Sequence, residues 1–360
     1  RLLSRLKKSK WTARTFQGMF SLLSRFPRHK NLIMFESFNG RQFSDNPRAI
    51  YEYLAAHYPH YKLVWSADKR FRSQFEGKNI EYAYRFSLKW LWLMPRAQYW
   101  VSNSRFPSWF RKSPSTTYLQ TWHGTPLKKL GVDIKEVVMP GTTTEKYKKN
   151  FVEEAQRWDY LISPNSYSSD IFKRAFGFSN TVLETGYPRN DSLFTLNNPD
   201  SIEKLKIEAG LPLDKKIVLY APTWRDNDYY SVGKYKFNIR LDMERMQKEL
   251  GEDYIVLFRF HYLVAENLDL SPFKGFAYDF SHYEDIRNLY LIADLLITDY
   301  SSVFFDFAIL KKPILFYVYD IDTYRDQLRG FYFDFEKQAP GPLVKTTEEV
   351  IAAIQNLNSS

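Results

Sequence analysis

Short apolar runs alternate with helix-like stretches along this chain, and the runs read as strands. In the first half they cover 31–37, 61–67, 98–103, 117–122, 159–163 and 181–185. In the second half they cover 216–221, 253–260, 277–280, 294–298 and 313–317. Between them lie helix signals. Asp45-Asn46-Pro47 sets cap residues before a first-turn proline and predicts a helix over 48–57. A second helix is expected over 201–209, stopped by Gly210. This rhythm predicts an α/β protein of parallel sheets covered by helices. The polar, proline-containing stretch 195–200 marks a domain boundary. The expected organisation is a basic segment over 1–30 and two Rossmann-like domains, 31–195 and 196–360, facing a cleft. In such sheets ligands sit beyond the carboxyl ends of the strands, which is where the candidate residues below fall.

Composition changes this picture little. A chain of 360 residues that is 44% hydrophobic has material for two cores. An aromatic content of 18% excludes a disordered chain. Without cysteine there is neither a disulfide framework nor a thiolate metal site. No apolar run reaches the roughly 18–20 residues that span a bilayer, and no signal peptide is visible in a sequence that begins at Arg1. The location this favours is cytosolic.

Charge adds more. The net charge of +10 attracts polyanions such as nucleic acid, anionic lipid or a phosphate-rich substrate. Residues 1–30 hold nine Lys/Arg and no acidic residue, the first being Glu36. Trp11, Phe16, Met19, Phe20, Leu22, Leu23 and Phe26 are interleaved with these cations, and Phe16, Phe20 and Leu23 follow i, i+4, i+7 spacing. Such a segment suits the headgroup region of an anionic bilayer. A helix packed on the protein body with a solvated basic face is the other reading.

Three clusters carry candidate chemistry. The first is Thr121-Trp122-His123-Gly124-Thr125-Pro126-Leu127-Lys128-Lys129. Gly124 lets the backbone turn tightly after a strand, so His123 projects from a strand-to-loop turn. An imidazole with an ordinary pKa of about 6.5 suits proton abstraction from an attacking hydroxyl. The second is Arg259-Phe260-His261 at a strand end, where alternate side chains share a face and suit a phosphate. The third runs from Thr298 to Asp306. Ser301 or Ser302 caps the helix that follows, whose amides form an anion site, and Asp306 one turn on is placed to accept ribose hydroxyls. Arg225 follows another strand and, like Arg325 and Arg329, is a further phosphate candidate. Lys128 and the hydroxyls of Thr142 and Thr143 are candidates for holding an acceptor. For each, an ordinary structural role competes: a histidine on a backbone carbonyl, a buried Arg–carboxylate pair, a plain serine cap, a solvated arginine or a surface loop.

Other chemistries are excluded by their missing signatures. There is no Gly-x-x-x-x-Gly-Lys-Ser/Thr phosphate loop, no Gly-x-Ser-x-Gly elbow, and no His-Glu-x-x-His or close His/carboxylate cluster for a catalytic metal. No cofactor is expected.

Taken in order, the motifs resemble the CDP-glycerol:poly(glycerophosphate) glycerophosphotransferases of wall teichoic acid synthesis. The matching pieces are Trp-His-Gly-Thr-Pro-Leu-Lys at 122–128, Met-Pro-Gly-Thr-Thr-Thr at 139–144 and Trp-Asp-Tyr-Leu-Ile-Ser-Pro-Asn at 158–165. They continue with Gly-Tyr-Pro-Arg-Asn-Asp at 186–191, Tyr-Ala-Pro-Thr-Trp-Arg at 220–225 and Arg-Phe-His at 259–261. Thr-Asp-Tyr-Ser-Ser-Val-Phe-Phe-Asp at 298–306 and Arg-Gly-Phe-Tyr-Phe-Asp at 329–334 close the series. The resemblance implies a GT-B-like fold at the cytoplasmic membrane face. It implies His123 as the base, with His261 and the C-terminal half holding the phosphates of CDP-glycerol. The implied partners are that donor, a lipid-linked acceptor and an anionic membrane surface, not nucleic acid. Longer polymerases of the family carry an extra region before this module, so primase, short polymerase and excised module all fit. Ribitol-phosphate transferases share the motifs, so CDP-ribitol is the alternative donor. A GT-B glycosyltransferase using a nucleotide sugar and a non-enzymatic polyanion- or membrane-binding protein are the competing classes.

Overall fold

The computed structural model describes residues 2–137, 140–223, 229–231, 234–235, 239–261, 268–328 and 330–359. The contacts divide the chain into two units, Arg1–Arg189 and Asn190–Ser360.

The first unit is built on a seven-stranded sheet. Its strands are β1 (His29–Glu36), β2 (Lys62–Ala67), β3 (Tyr82–Tyr84), β4 (Ala97–Ser102), β5 (Thr117–Gln120), β6 (Tyr160–Ile162) and β7 (Thr181–Leu183). They run in the order β3-β2-β1-β4-β5-β6-β7, and every pairing is parallel. Helices cover both faces, so central strands are apolar on both sides rather than alternating. Ile33 and Phe35 pack with Trp65, Phe43 and Phe75, while Leu32 and Met34 are buried as well. The helix Asp45–His57 starts three residues earlier than expected: Asp45 and Asn46 form its first turn, and the cap position falls to Ser44, whose side chain makes no cap hydrogen bond.

The second unit repeats the plan. Its strands are β8 (Lys216–Tyr220), the short antiparallel hairpin β9 (Tyr229–Ser231) and β10 (Lys234–Tyr235), β11 (Tyr254–Phe258), β12 (Ala277–Asp279), β13 (Leu295–Thr298), β14 (Ile314–Tyr317) and β15 (Leu343–Val344). The main sheet runs β12-β11-β8-β13-β14-β15, again parallel throughout. Its core joins Val218, Val256, Phe258, Ile297 and Leu315 to Met246 and Ile354 on covering helices. Numbered within each unit, both sheets start in the middle, grow to one side and then cross to the other. That is the Rossmann order 3-2-1-4-5-6, with one added strand in the first unit. The switch points lie between β1 and β4 and between β8 and β13.

A helix over Leu2–Leu23 leads into the first unit. Phe20 is fully buried, its ring 5.0 Å from Phe110, 5.4 Å from Trp109 and 5.5 Å from Trp90. Phe16 lies 6.1 Å from Trp90. The apolar spacing that sequence reading aimed at a bilayer therefore faces the protein body. Trp11 and Leu22 occupy the opposite face, Met19 stands on the flank between, and all three are exposed, followed by exposed Phe26. Among the described residues no helix is long and apolar enough to cross a membrane.

Candidate active site

At the first switch point, β4 ends at Ser102 and the next residue, Asn103, reaches across to β1. Its Oδ1 accepts the backbone N–H of Phe38 (2.9 Å) and its Nδ2 donates to Asp45 (3.0 Å). Asp45 also accepts from the Arg189 guanidinium at 2.7 Å. The same Arg189 Nη1 donates to the carbonyl of His123 (2.8 Å). Asn46 donates to the carbonyl of Trp122 (3.1 Å) and accepts the N–H of Arg189 (3.1 Å). The backbone around this knot is unusual. Phe38, Asn39, Asp45 and Trp122 all have φ between 48° and 67°, a region that costs non-glycine residues energy and persists where the surroundings over-determine it.

Trp122 turns the chain off β5 and presents His123. Trp122 stacks on the imidazole, with ring centroids 4.5 Å apart, and Phe38 lies 5.6 Å away. The His123 Nδ1 sits 2.6 Å from the backbone carbonyl of Asn103. A carbonyl only accepts, so Nδ1 carries the hydrogen and Nε2 keeps the lone pair. Burial pushes the imidazole below its ordinary value of 6.5, against the hydrogen bond it donates to the Asn103 carbonyl and the charge of Asp45, which favour protonation. The His123 imidazole is thus neutral at neutral pH and held in one orientation. Gly124 is pinned by Tyr187, whose hydroxyl accepts its N–H (3.2 Å) and donates to its carbonyl (2.7 Å).

At the second switch point Asp299 repeats the role of Asn103. It follows β13, and its Oδ1 accepts the N–H of Thr223 beyond β8 (2.8 Å), while Thr298 donates to the carbonyl of Ala221 (2.7 Å). Ser301 accepts the N–H of Val303 at 3.3 Å, and Ser302 stands at the cap position of the helix Val303–Phe307 without a side-chain cap bond. Tyr300 stacks on Tyr324 at 3.9 Å. Asp306 is buried and accepts from Asn190 at 3.0 Å. Arg259 donates to the carbonyls of Phe280 (2.9 Å) and Tyr283, and burial lowers its pKa. His261, two residues on, is partly buried.

The remaining candidates separate. Lys128 is exposed. Thr143 caps the helix Thr144–Ala155 by accepting the N–H of Lys146 (3.2 Å), and Thr142 donates to the carbonyl of Thr143 (3.3 Å). Arg325 is exposed and engaged by Asp322 and Glu336. Arg225 and Arg329 lie outside the described residues. No group of three or more His, Asp or Glu poised for a metal occurs among the described residues. The sequence patterns single out none of Asn103, Tyr187 and Arg189 for the site. Tyr187 and Arg189 stand in the Gly-Tyr-Pro-Arg-Asn-Asp motif, which was the available signal. Asp45 was read only as a helix cap.

The family model described as CDP-Glycerol:Poly(glycerophosphate) glycerophosphotransferase matches residues 18–360. The chain belongs to this family. It is 59% identical over 364 aligned residues to a teichoic acid poly(glycerol phosphate) polymerase of Bacillus subtilis, covering 100% of this chain and 49% of that protein. It is 60% identical over 343 residues to the polymerase of the same description from Bacillus spizizenii, covering 95% of this chain and 87% of that one. The chain thus spans about half the length of the first relative and most of the second. Among solved structures, a variant of the wall teichoic acid polymerase TagF soaked with CDPG superposes with a TM-score of 0.89 at 43% identity, over 99% of this chain and 88% of that chain. The two parallel α/β units are those of this GT-B-like fold.

Proposed function

We propose that the chain transfers glycerol phosphate from CDP-glycerol to a hydroxyl of a lipid-linked teichoic acid acceptor and releases CMP. The observation that carries this is the neutral His123, its Nδ1 proton spent on a backbone carbonyl and its Nε2 left as an acceptor. In the proposed step the acceptor hydroxyl attacks the β-phosphorus of the donor and its proton passes to Nε2. The bond from that phosphorus to the bridging oxygen breaks, and CMP departs with the electron pair. Its phosphate is a good leaving group, so no strong general acid is required. Positioning and neutralisation of the pyrophosphate charge supply the rest.

On this reading the second unit holds the donor. His261, Arg259, Ser301 and Ser302 serve the phosphates with Arg225 and Arg329, and Asp306 serves the ribose. Arg259 and Asp306 already spend hydrogen bonds on Phe280, Tyr283 and Asn190, so they shape the donor site as much as they touch it. Lys128, Thr142 and Thr143 serve the acceptor. The enzyme works peripherally on the cytoplasmic membrane face, held there by the basic N-terminal helix and its exposed Trp11, Met19 and Leu22. Incubation with CDP-glycerol, CDP-ribitol and UDP-sugars tests the reading. CMP release with CDP-glycerol is expected; UDP release alone overturns it.

A further inference from the structure

Where the N-terminal helix meets the sheet, the first unit carries a pocket of about 360 Å³ that the transfer reaction does not use. It is lined by Ser24, Arg25, Phe26, Pro27 and Arg28 on one side and by Arg111 with Ser113, Pro114 and Ser115 on the other. Three arginines and no acidic residue share one small concavity.

The arginines are not equivalent. Arg28 is the frame: its guanidinium donates to the carbonyls of Pro95, Ser24 (2.6 Å) and Phe26 and to Thr116 Oγ1 (3.2 Å), tying the end of the helix to the sheet. With both terminal nitrogens engaged, it still lends its charge to the pocket wall, beside the like charge of Arg96. Arg25 and Arg111 are exposed, and no ion pair among the described residues involves either. The neighbouring cation, Lys112, is already neutralised by Asp159 at 3.2 Å. Ser113 Oγ accepts the N–H of Ser115 (3.2 Å), a bond that does not spend its hydroxyl hydrogen, and both serines line the pocket. Converging guanidinium forks and hydroxyls without a carboxylate form a phosphate receptor.

The flank decides which phosphate. Phe26 lines the pocket and is 42% exposed, Leu22 one turn back is 56% exposed, and Trp11 on the same face of the helix is 70% exposed. A water-soluble phosphate polymer gains nothing from that stripe, whereas a lipid fills both halves of the surface.

We propose that this pocket holds the phosphate headgroup of an anionic phospholipid, while Leu22, Phe26 and Trp11 enter its acyl region. The site rests on the membrane-surface part of the proposed function and is independent of the transfer step. It turns attraction by diffuse charge into a one-to-one contact that sets which face of the unit meets the bilayer.

The test uses the full chain, an Arg25→Ala/Arg111→Ala variant, and Lys10→Ala/Arg14→Ala as a charge-matched control on the exposed helix. Titration with dihexanoyl phosphatidylglycerol below its micelle concentration, followed by NMR or calorimetry, is expected to saturate at one lipid per chain. That binding persists in the control and is lost in the pocket variant. Affinity for vesicles of phosphatidylcholine with phosphatidylglycerol falls about tenfold or more in the pocket variant and less in the control. Equal losses in both variants, no saturable lipid binding, or preferential binding of a soluble glycerol phosphate oligomer would overturn the site. CMP release from a short soluble acceptor is read on the same samples and is expected to be equal in wild type and pocket variant. Its absence from the wild type would remove the transfer reading and leave the lipid titration to decide the pocket alone.

Discussion

At the scale of the residue, His123 is defined by what surrounds it. Its hydrogen bond to the Asn103 carbonyl fixes the tautomer, and burial keeps the ring neutral. His123→Ala is expected to lower transfer by about 10²–10⁴-fold while CDP-glycerol binding stays within about threefold of wild type; single-turnover rates and calorimetry check both. The pH dependence has a definite sign. With the folded pKa below 6.5, His123 remains an unprotonated base as pH falls to that value, so the acid limb of the rate profile lies below 6.5. Below 6.5 the unfolded chain takes up a proton that the folded one resists, so stability also falls with falling pH. His123→Gln should flatten that part of the stability curve, as read by urea midpoints. The position of His123 at a strand-to-loop turn was legible in the sequence because a glycine stands beside it after an apolar run. Its holders were not. Asn103 is twenty residues away and acts through its backbone, and the charge of Asp45 is recruited by Arg189 from the far end of the unit. No local pattern encodes such contacts.

At the scale of the element, strands were read well where they are long and apolar on both faces. Lys216–Tyr220 and Ile314–Tyr317 fall inside the expected runs. Tyr82–Tyr84 and Leu343–Val344 were missed. They are edge strands of three and two residues, too short to show a period. The N-terminal helix shows the other weakness of pattern: a periodic apolar face does not say what it faces. Phe20 is fully buried against Trp90, Trp109 and Phe110, so Phe20→Ala should cost about 3–5 kcal/mol, measured by chemical denaturation. Substituting exposed Met19 instead should leave the midpoint nearly unchanged. Lys312 makes a comparable prediction for the helix Ile286–Ile292. Its Nζ donates to the carbonyls of Tyr290 (3.1 Å), Leu291 (2.8 Å) and Ala293 (2.7 Å), closing the helix end. Lys312→Ala removes the donor from three carbonyls and should destabilise the fold by about 1–3 kcal/mol, again by denaturant midpoint.

At the scale of the whole molecule, one sheet plan occurs twice, and each copy carries a polar side chain bracing its switch point, Asn103 in the first unit and Asp299 in the second. Two parallel-sheet units were readable from the alternation of elements; the strand order was not, because it is set by which strands pair across the crossovers. The two motif histidines belong to different units, and the proposed chemistry gives them different work. His261→Ala should weaken CDP-glycerol binding by about 1.5–3 kcal/mol, whereas His123→Ala should not. Calorimetry on both variants decides it, and equal affinities would remove the donor from the second unit.

The partner that orients His123 is a main-chain oxygen. Hydrolytic triads place a carboxylate there, which evolution can amidate, lengthen or delete one codon at a time. A peptide carbonyl is common to all twenty amino acids, so no single substitution at position 103 removes it. What drift can alter is the curvature of the strand end that aims it, through Phe38 and Asp45, which the Asn103 side chain holds. A saturation library at position 103 should accordingly yield variants graded by how well they hold that curve. The acid limb of each should report a single proton, because the orienting oxygen has none to lose.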